Sequence, residues 1–261
     1  MNISYEYRTR VVFAPSIGRH NLLLRCLPAR EAFQQSVEEE FTLSEGFWYD
    51  ESHDGQGNRI LYAGTTERHN RVAYTCHGRV RQSTYCIPEA HPHPMYGLPS
   101  ALTQGELPPH PTLDELPPRP VGDDTFLPRV IELMHFTHEY LSYIPGTTCC
   151  NTPLTQVLSQ RCGVCQDYAH LLIALCRHHG LHARYVCGLM QGEGQTHAWV
   201  EVHDGQCWYA FDPTNDTPIA TGYIKLAHGR DALDCPVSRG TYLGITQETT
   251  EVRVIVKPQQ S

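Results

Sequence analysis

Cys165, His197 and Asp212 occur in the order nucleophile, base, orienting acid, each inside a run whose pattern suits that role. Cys165 sits in Gly163-Val164-Cys165-Gln166-Asp167-Tyr168-Ala169, directly ahead of an apolar helical stretch. His197 sits in Thr196-His197-Ala198-Trp199-Val200-Glu201-Val202, which alternates as a strand does. Asp212 ends a second strand-like run, Cys207-Trp208-Tyr209-Ala210-Phe211-Asp212, followed by Pro213-Thr214. The reactive form of cysteine is the thiolate, and a helix N-terminus together with an imidazolium favours it. Cys165 stands where its helix begins, which supplies the first influence and turns its backbone N–H toward a tetrahedral oxyanion. The chemistry these residues suit is acyl transfer through a thiolate.

The segment between His197 and Asp212 reads as a hairpin, because Asp204-Gly205 is a strong two-residue turn signal. With those two as the loop, His203 faces Gln206, and the same register sets His197 directly opposite Asp212. Their Cβ atoms would then be about 4.5–5.5 Å apart on one face of the sheet. At that separation the carboxylate accepts from one ring nitrogen and leaves the other for Cys165. A longer loop or a bulge would shift the pairing. The other face carries Ala198, Val200 and Val202 and reads as the core side.

The elements around these residues divide the chain into three parts. Residues 1–86 read as short strands, with Ile3, Tyr5 and Tyr7 alternating and Asp54-Gly55-Gln56-Gly57-Asn58 as a turn, and predict an antiparallel β-sandwich. Eleven of the nineteen prolines fall between Pro88 and Pro128, so residues 87–124 are expected to be an extended connection over the surface. Residues 125–261 carry the chemistry. Asp124 or Thr125 can cap a helix through Phe126, Val130, Leu133, Met134 and Leu141. The Cys165 helix should run to His179 and stop at Gly180. Strands are expected at about 183–190, 196–203 and 206–212 and over Thr250 to Val256, where Val252, Val254 and Val256 alternate with Glu251 and Arg253.

The chain has 261 residues, 40% of them apolar, and a formal net charge of −8 with no basic block, which argues against a nucleic-acid partner. The N-terminus lacks the charged-then-apolar profile of a signal peptide, and no apolar run approaches the roughly 20 residues that span a bilayer. A cytoplasmic protein without a membrane partner is the expectation. Eleven cysteines, an odd number at irregular spacing, read as reduced thiols rather than a disulfide framework.

The runs around Cys165, His197 and Asp212, with Gly180-Leu181-His182-Ala183-Arg184-Tyr185-Val186 and Phe211-Asp212-Pro213-Thr214-Asn215, resemble the core of the bacterial transglutaminase-like superfamily. The tail from Gly229-Arg230-Asp231 to Arg239-Gly240-Thr241-Tyr242-Leu243-Gly244 is similar to the same family, as is the β-rich N-terminal region. His182 stands where the family often has proline. The resemblance implies a papain-like α+β core, with the Cys-bearing helix packed on an antiparallel sheet and a triad of Cys165, His197 and Asp212. It implies a cysteine protease or amidase that cleaves a peptide or isopeptide-type amide through a Cys165 thioester. His197 would be base and acid, with Asp212 orienting it. Acyl transfer to an amine, as in a transglutaminase, is the alternative. Nothing here resembles the calcium sites of animal transglutaminases, so no metal or other cofactor is implied.

Three other readings use the same residues. Cys162-Gly163-Val164-Cys165 is a C-x-x-C, the pattern of thioredoxin-like redox sites, but such folds have no need of the His-Ala-Trp and Asp-Pro-Thr runs. Cys149, Cys150, Cys162 and Cys165, or His178, His179 and His182, could supply zinc ligands, although adjacent cysteines suit one metal poorly. A non-catalytic binding module on the same fold would usually have lost a triad residue. Trp199 and Trp208 read as packing residues, Asp167 as a helix-start acid, Glu201 as a cleft or solvated residue, and Arg230 with Asp231 as a surface ion pair.

Overall fold

The computed structural model describes residues 1–109 and 126–259. The first part of the chain forms β1 (Asn2–Leu24), β2 (Gln34–Leu43), β3 (Trp48–His53), β4 (Arg59–Thr65), β5 (His69–Gln82) and β6 (Ile87–Pro88). The middle forms α1 (Phe126–Tyr140), β7 (Ser142–Tyr143), α2 (Leu154–Gln160), β8 (Cys162–Gly163) and α3 (Cys165–His178). The rest is β9 (Ala183–Met190), β10 (Gly192–Gly194), β11 (His197–His203), β12 (Cys207–Asp212), β13 (Thr217–Ile219), β14 (Tyr223–Gly229), β15 (Ser238–Leu243) and β16 (Gln247–Gln259).

Alternation in β1 buries Ile3, Tyr5, Tyr7 and Thr9 and turns their neighbours outward. The strand is long enough to serve two regions of one curled, eight-stranded antiparallel sheet. Its first half pairs with β5 and β16, and its second half with β4 and β15. The valines of β16 behave as their alternation predicts, with Val254 and Val256 buried. The strand's partner, however, is β1 from residue 2 to residue 14, at the opposite end of the chain. The expected division into a sandwich of residues 1–86 and a separate part of residues 125–261 therefore does not follow the hydrogen bonding. The N-terminal strands complete their sheet with β10, β15 and β16 from the chain's last third.

A six-stranded antiparallel sheet runs β13-β12-β11-β9-β14, with β6 on the side of β12. α3 covers one face, setting Leu171, Leu172 and Leu175 in the same core as Ala198, Val200 and Val202. A second core covers the other face and holds Phe33, Tyr85, Tyr96, Trp199, Trp208 and Ile219. Both tryptophans are packing residues, as expected from the sequence. Glu201 departs from its expected cleft or solvated place. It is fully buried, bonded to Arg184 and to Lys225 at 3.0 Å, and accepts the Tyr85 hydroxyl at 2.6 Å. The two cations and the hydroxyl outweigh the burial penalty and hold its carboxyl down at about 2.

The proline-rich connection is also more than an extended surface strand. Ile87 pairs with Trp208, Tyr96 stacks edge-on against Trp208 at 5.5 Å, and Leu102 is buried. Arg177 near the end of α3 donates to the Tyr96 carbonyl at 2.9 Å and to the Thr103 hydroxyl at 2.8 Å, pinning this segment to the helix. The expected caps Asp124 and Thr125 lie outside the described residues.

Candidate active site

The start of α3 is built by hydrogen bonds to one acid. Val164 is extended and precedes the first helical residue, Cys165. Asp167 turns its carboxylate back, so that Oδ2 accepts the Val164 N–H at 2.8 Å and the Thr148 hydroxyl at 2.7 Å. Burial still raises the pKa of Asp167 above the ordinary carboxylate value, because these bonds offset the desolvation only in part. Gly163 makes room for this arrangement, since a Cβ there would stand 2.5 Å from Asp167 Oδ2. As the first residue of the helix, Cys165 has a backbone N–H with no carbonyl of its own helix to meet.

β11 and β12 bring His197 and Asp212 together in a register different from the expected one. The two loop residues are Gly205 and Gln206, closed by the Asp204 N–H to the Cys207 carbonyl at 3.0 Å. Asp204 belongs to the closing pair because its carboxylate accepts from the Gln206 and Cys207 N–H groups at 2.7 and 2.8 Å. Gly205, at φ +108, takes the first loop position, where a type II′ turn favours glycine. Val200 then faces Phe211 and His203 faces Trp208, a shift of two residues from the predicted pairing. His197 and Asp212 are diagonal rather than opposite. An even shift keeps both on one face, and the His197 ring reaches across to donate from Nε2 to Asp212 Oδ2 at 2.8 Å.

Asp212 is fully buried and each of its oxygens has partners. Oδ2 also accepts the Tyr223 hydroxyl at 2.8 Å and the Asn215 amide at 2.7 Å, while Oδ1 accepts the Thr214 and Asn215 backbone N–H groups. Burial would raise the carboxyl, but His197 first and then Asn215 and Tyr223 outweigh it and hold it below the ordinary carboxylate range. Burial likewise opposes charge on His197, yet Asp212 and the side chain of Cys165 push its pKa up to about 10. With Nε2 occupied by Asp212, Nδ1 is the nitrogen left for the Cys165 thiol. Tyr223 and Asn215 went unread in the sequence. Asn215 carried a signal, an Asx-type turn after Asp212-Pro213. Tyr223 carried none, since it arrives from β14 on the far side of the sheet.

Cys165 and His197 form part of the wall between two cavities. One, of about 530 Å³, is bounded by Cys150, Asn151 and the start of β15 at Ser238 and Arg239. The other, of about 550 Å³, is bounded by Tyr143, Gly146 and the β10 segment from Gly192 to Gly194. Val164, Cys165, Thr196 and His197 line both. Arg230 forms its ion pair with Asp234 at 2.8 Å rather than with Asp231, which is buried and accepts the Leu102 N–H. Among the described residues no group of three or more His, Cys, Asp or Glu side chains is set to hold a metal ion, neither the cysteines from Cys149 to Cys165 nor His178, His179 and His182.

Comparison with known proteins agrees with this architecture. A solved structure of a candidate cysteine protease from Cytophaga hutchinsonii superposes with a TM-score of 0.78, over 100% of this chain and 92% of that one. At 21% identity this likeness speaks for a shared fold. An uncharacterized protein of Mycobacterium leprae is 36% identical over 138 residues, a match spanning 49% of this chain and 48%, about half, of that relative. An uncharacterized protein of Mycobacterium tuberculosis is 31% identical over 97% of this chain and 90% of its own length. The family model of the transglutaminase-like superfamily matches residues 119–213, which run through Cys165, His197 and Asp212. By this family model, together with a relative matched along nearly its whole length, the chain belongs to the transglutaminase-like superfamily.

Proposed function

We propose that this chain is a cysteine hydrolase that cleaves a peptide or isopeptide-type amide through a Cys165 thioester. The observation that carries this reading is His197 held at 2.8 Å by a buried Asp212, beside the thiol that heads α3. The Cys165 sulfur attacks the amide carbonyl, and the Cys165 N–H supports the oxyanion. The C–N bond breaks as the imidazolium gives its proton to the leaving amine. His197 then takes a proton from water, which attacks the thioester carbonyl and releases the acid and the thiolate. Cavities on both sides of Cys165 suit a substrate that continues past the scissile amide in two directions.

Alkylation of Cys165 by iodoacetamide tests the pair. Fast labelling at pH 6 in the wild type, slowed on the order of tenfold or more in His197→Ala, is the expected result. Equal, slow labelling in both proteins would sink the catalytic reading. A glutamine-containing protein with a labelled amine then separates the two outcomes of the thioester. Release of acid alone is expected, and amine incorporation would make the chain a transferase.

A further inference from the structure

A third cavity, of about 330 Å³, lies within the curled eight-stranded sheet. Thr196, Val237 and Ser238 line both this cavity and the cleft of about 530 Å³ beside Cys165, and Thr196 directly precedes His197. Its walls are aromatic and aliphatic. Phe13 meets Tyr242 edge-on at 5.3 Å, His20 meets Tyr242 edge-on at 5.8 Å, and Leu22 and Val72 add apolar surface. His20 lies parallel to His69, with Nδ1 at 3.1 Å from its partner's Nε2. Burial and that second ring push its pKa down to about 4, so the wall carries no imidazolium at neutral pH. Polar groups line it too, with Glu248 and Thr250 at exposed positions and Thr9, Thr196 and Ser238 among the rest. The Tyr7 and Tyr74 hydroxyls bond to each other at 3.2 Å, and the buried Thr9 hydroxyl lies beside both.

Resting on the reading of the cleft as a site of amide cleavage, we propose that this chamber is a substrate subsite that takes the aromatic side chain of a residue beside the scissile amide. Its shared wall with the reaction cleft at Thr196, Val237 and Ser238 sets it next to that cleft, and its volume suits one large side chain rather than a folded partner. Edge-on ring contacts favour an aromatic occupant over an aliphatic one. The grouped Thr9, Tyr7 and Tyr74 hydroxyls favour a hydroxyl at its tip, because a polar group taken out of water needs a hydrogen-bonding partner there. Tyrosine is thus the favoured residue.

Binding can be read without catalysis in Cys165→Ala. N-acetyl-L-tyrosinamide should bind this variant in ligand-observed NMR at millimolar concentration, and N-acetyl-L-alaninamide should not. Adding Val252→Trp, which fills the chamber from the half-buried face of β16, should weaken binding on the order of tenfold or more. Thr250→Trp, at an exposed lining position, serves as the second block should Val252→Trp fail to fold. Equal binding of both amides, or binding unchanged in a folded tryptophan variant, would overturn the subsite. Iodoacetamide labelling of Cys165 in the single Val252→Trp variant keeps the two readings apart. Fast, His197-dependent labelling without tyrosinamide binding removes the subsite alone. Slow labelling with blockable binding removes the catalytic reading and leaves a ligand pocket.

Discussion

One oxygen of Asp212 accepts from His197, Tyr223 and Asn215, and the other from two backbone N–H groups. A carboxylate satisfied this fully is fixed in place and fixed in charge, so it determines which ring nitrogen of His197 is left for sulfur. The pKa shifts have opposite signs and a joint consequence for stability. The folded value of His197, about 10, lies above its ordinary 6.5. Its contribution is therefore complete below about pH 6.5 and is lost as pH rises through about 10. Asp212 lies below its ordinary value, so its contribution is present above about pH 4 and is lost as pH falls through the depressed value. The stability advantage of the wild type over Asp212→Asn should accordingly be largest near pH 5–6 and shrink steadily toward pH 10. Urea midpoints of the two proteins across that range measure it. A difference that stays flat from pH 5 to pH 10 would show that the pair is not charged in the folded protein.

At the scale of the elements, the site depends on where α3 begins and on how β11 meets β12. Both were partly legible. The sequence marked Cys165 as a helix start through Asp167 and the apolar run behind it, and it marked the hairpin through Asp204-Gly205. It did not reveal which two residues form the loop, because Asp204 serves a turn either inside it or just before it, where its carboxylate caps the backbone. The predicted pairing was wrong by two residues, yet the contact between His197 and Asp212 survives because a strand's faces repeat every two residues. The start of α3 leads to a sharper expectation. Gly163→Ala would press a methyl group against Asp167, at 2.5 Å from the oxygen that holds the Val164 N–H and the Thr148 hydroxyl. Relief requires the carboxylate to move, so the variant should lose about 1–3 kcal/mol of stability, the usual range for overpacking. It should also alkylate more slowly at Cys165 than the wild type at equal folded fraction. A variant of unchanged thermal midpoint and unchanged labelling rate would mean that Asp167 does not set the helix start.

At the scale of the whole molecule, the chain closes on itself, and local pattern could not reveal this. Val252, Val254 and Val256 announced a strand but not its partner, because alternation states which face is buried and nothing about what lies alongside. That partner is β1, and β16 lies between β1 and β10. One continuous core joins Ile3, Tyr5 and Val254 from the curled sheet to Leu171, Val200 and Leu226 around α3. Val237 and Ser238, at the start of β15, are also walls of the cleft beside Cys165. The curled sheet and the site are therefore expected to stand or fall together. A chain ended at Thr246 loses β16 and leaves one edge of β1 unpaired along residues 2 to 14, with β5 still on the other edge. Exposing the backbone edge of a long apolar strand favours aggregation over independent folding. Such a chain should lose the cooperative thermal transition and His197-dependent labelling of Cys165 together, although the truncation touches neither residue. A peptide of residues 247–261 added during refolding should restore both, since it supplies the missing strand. Retention of rapid labelling in the shortened chain would show instead that α3 and the six-stranded sheet fold without the curled sheet, and the division read from the sequence would then hold in solution.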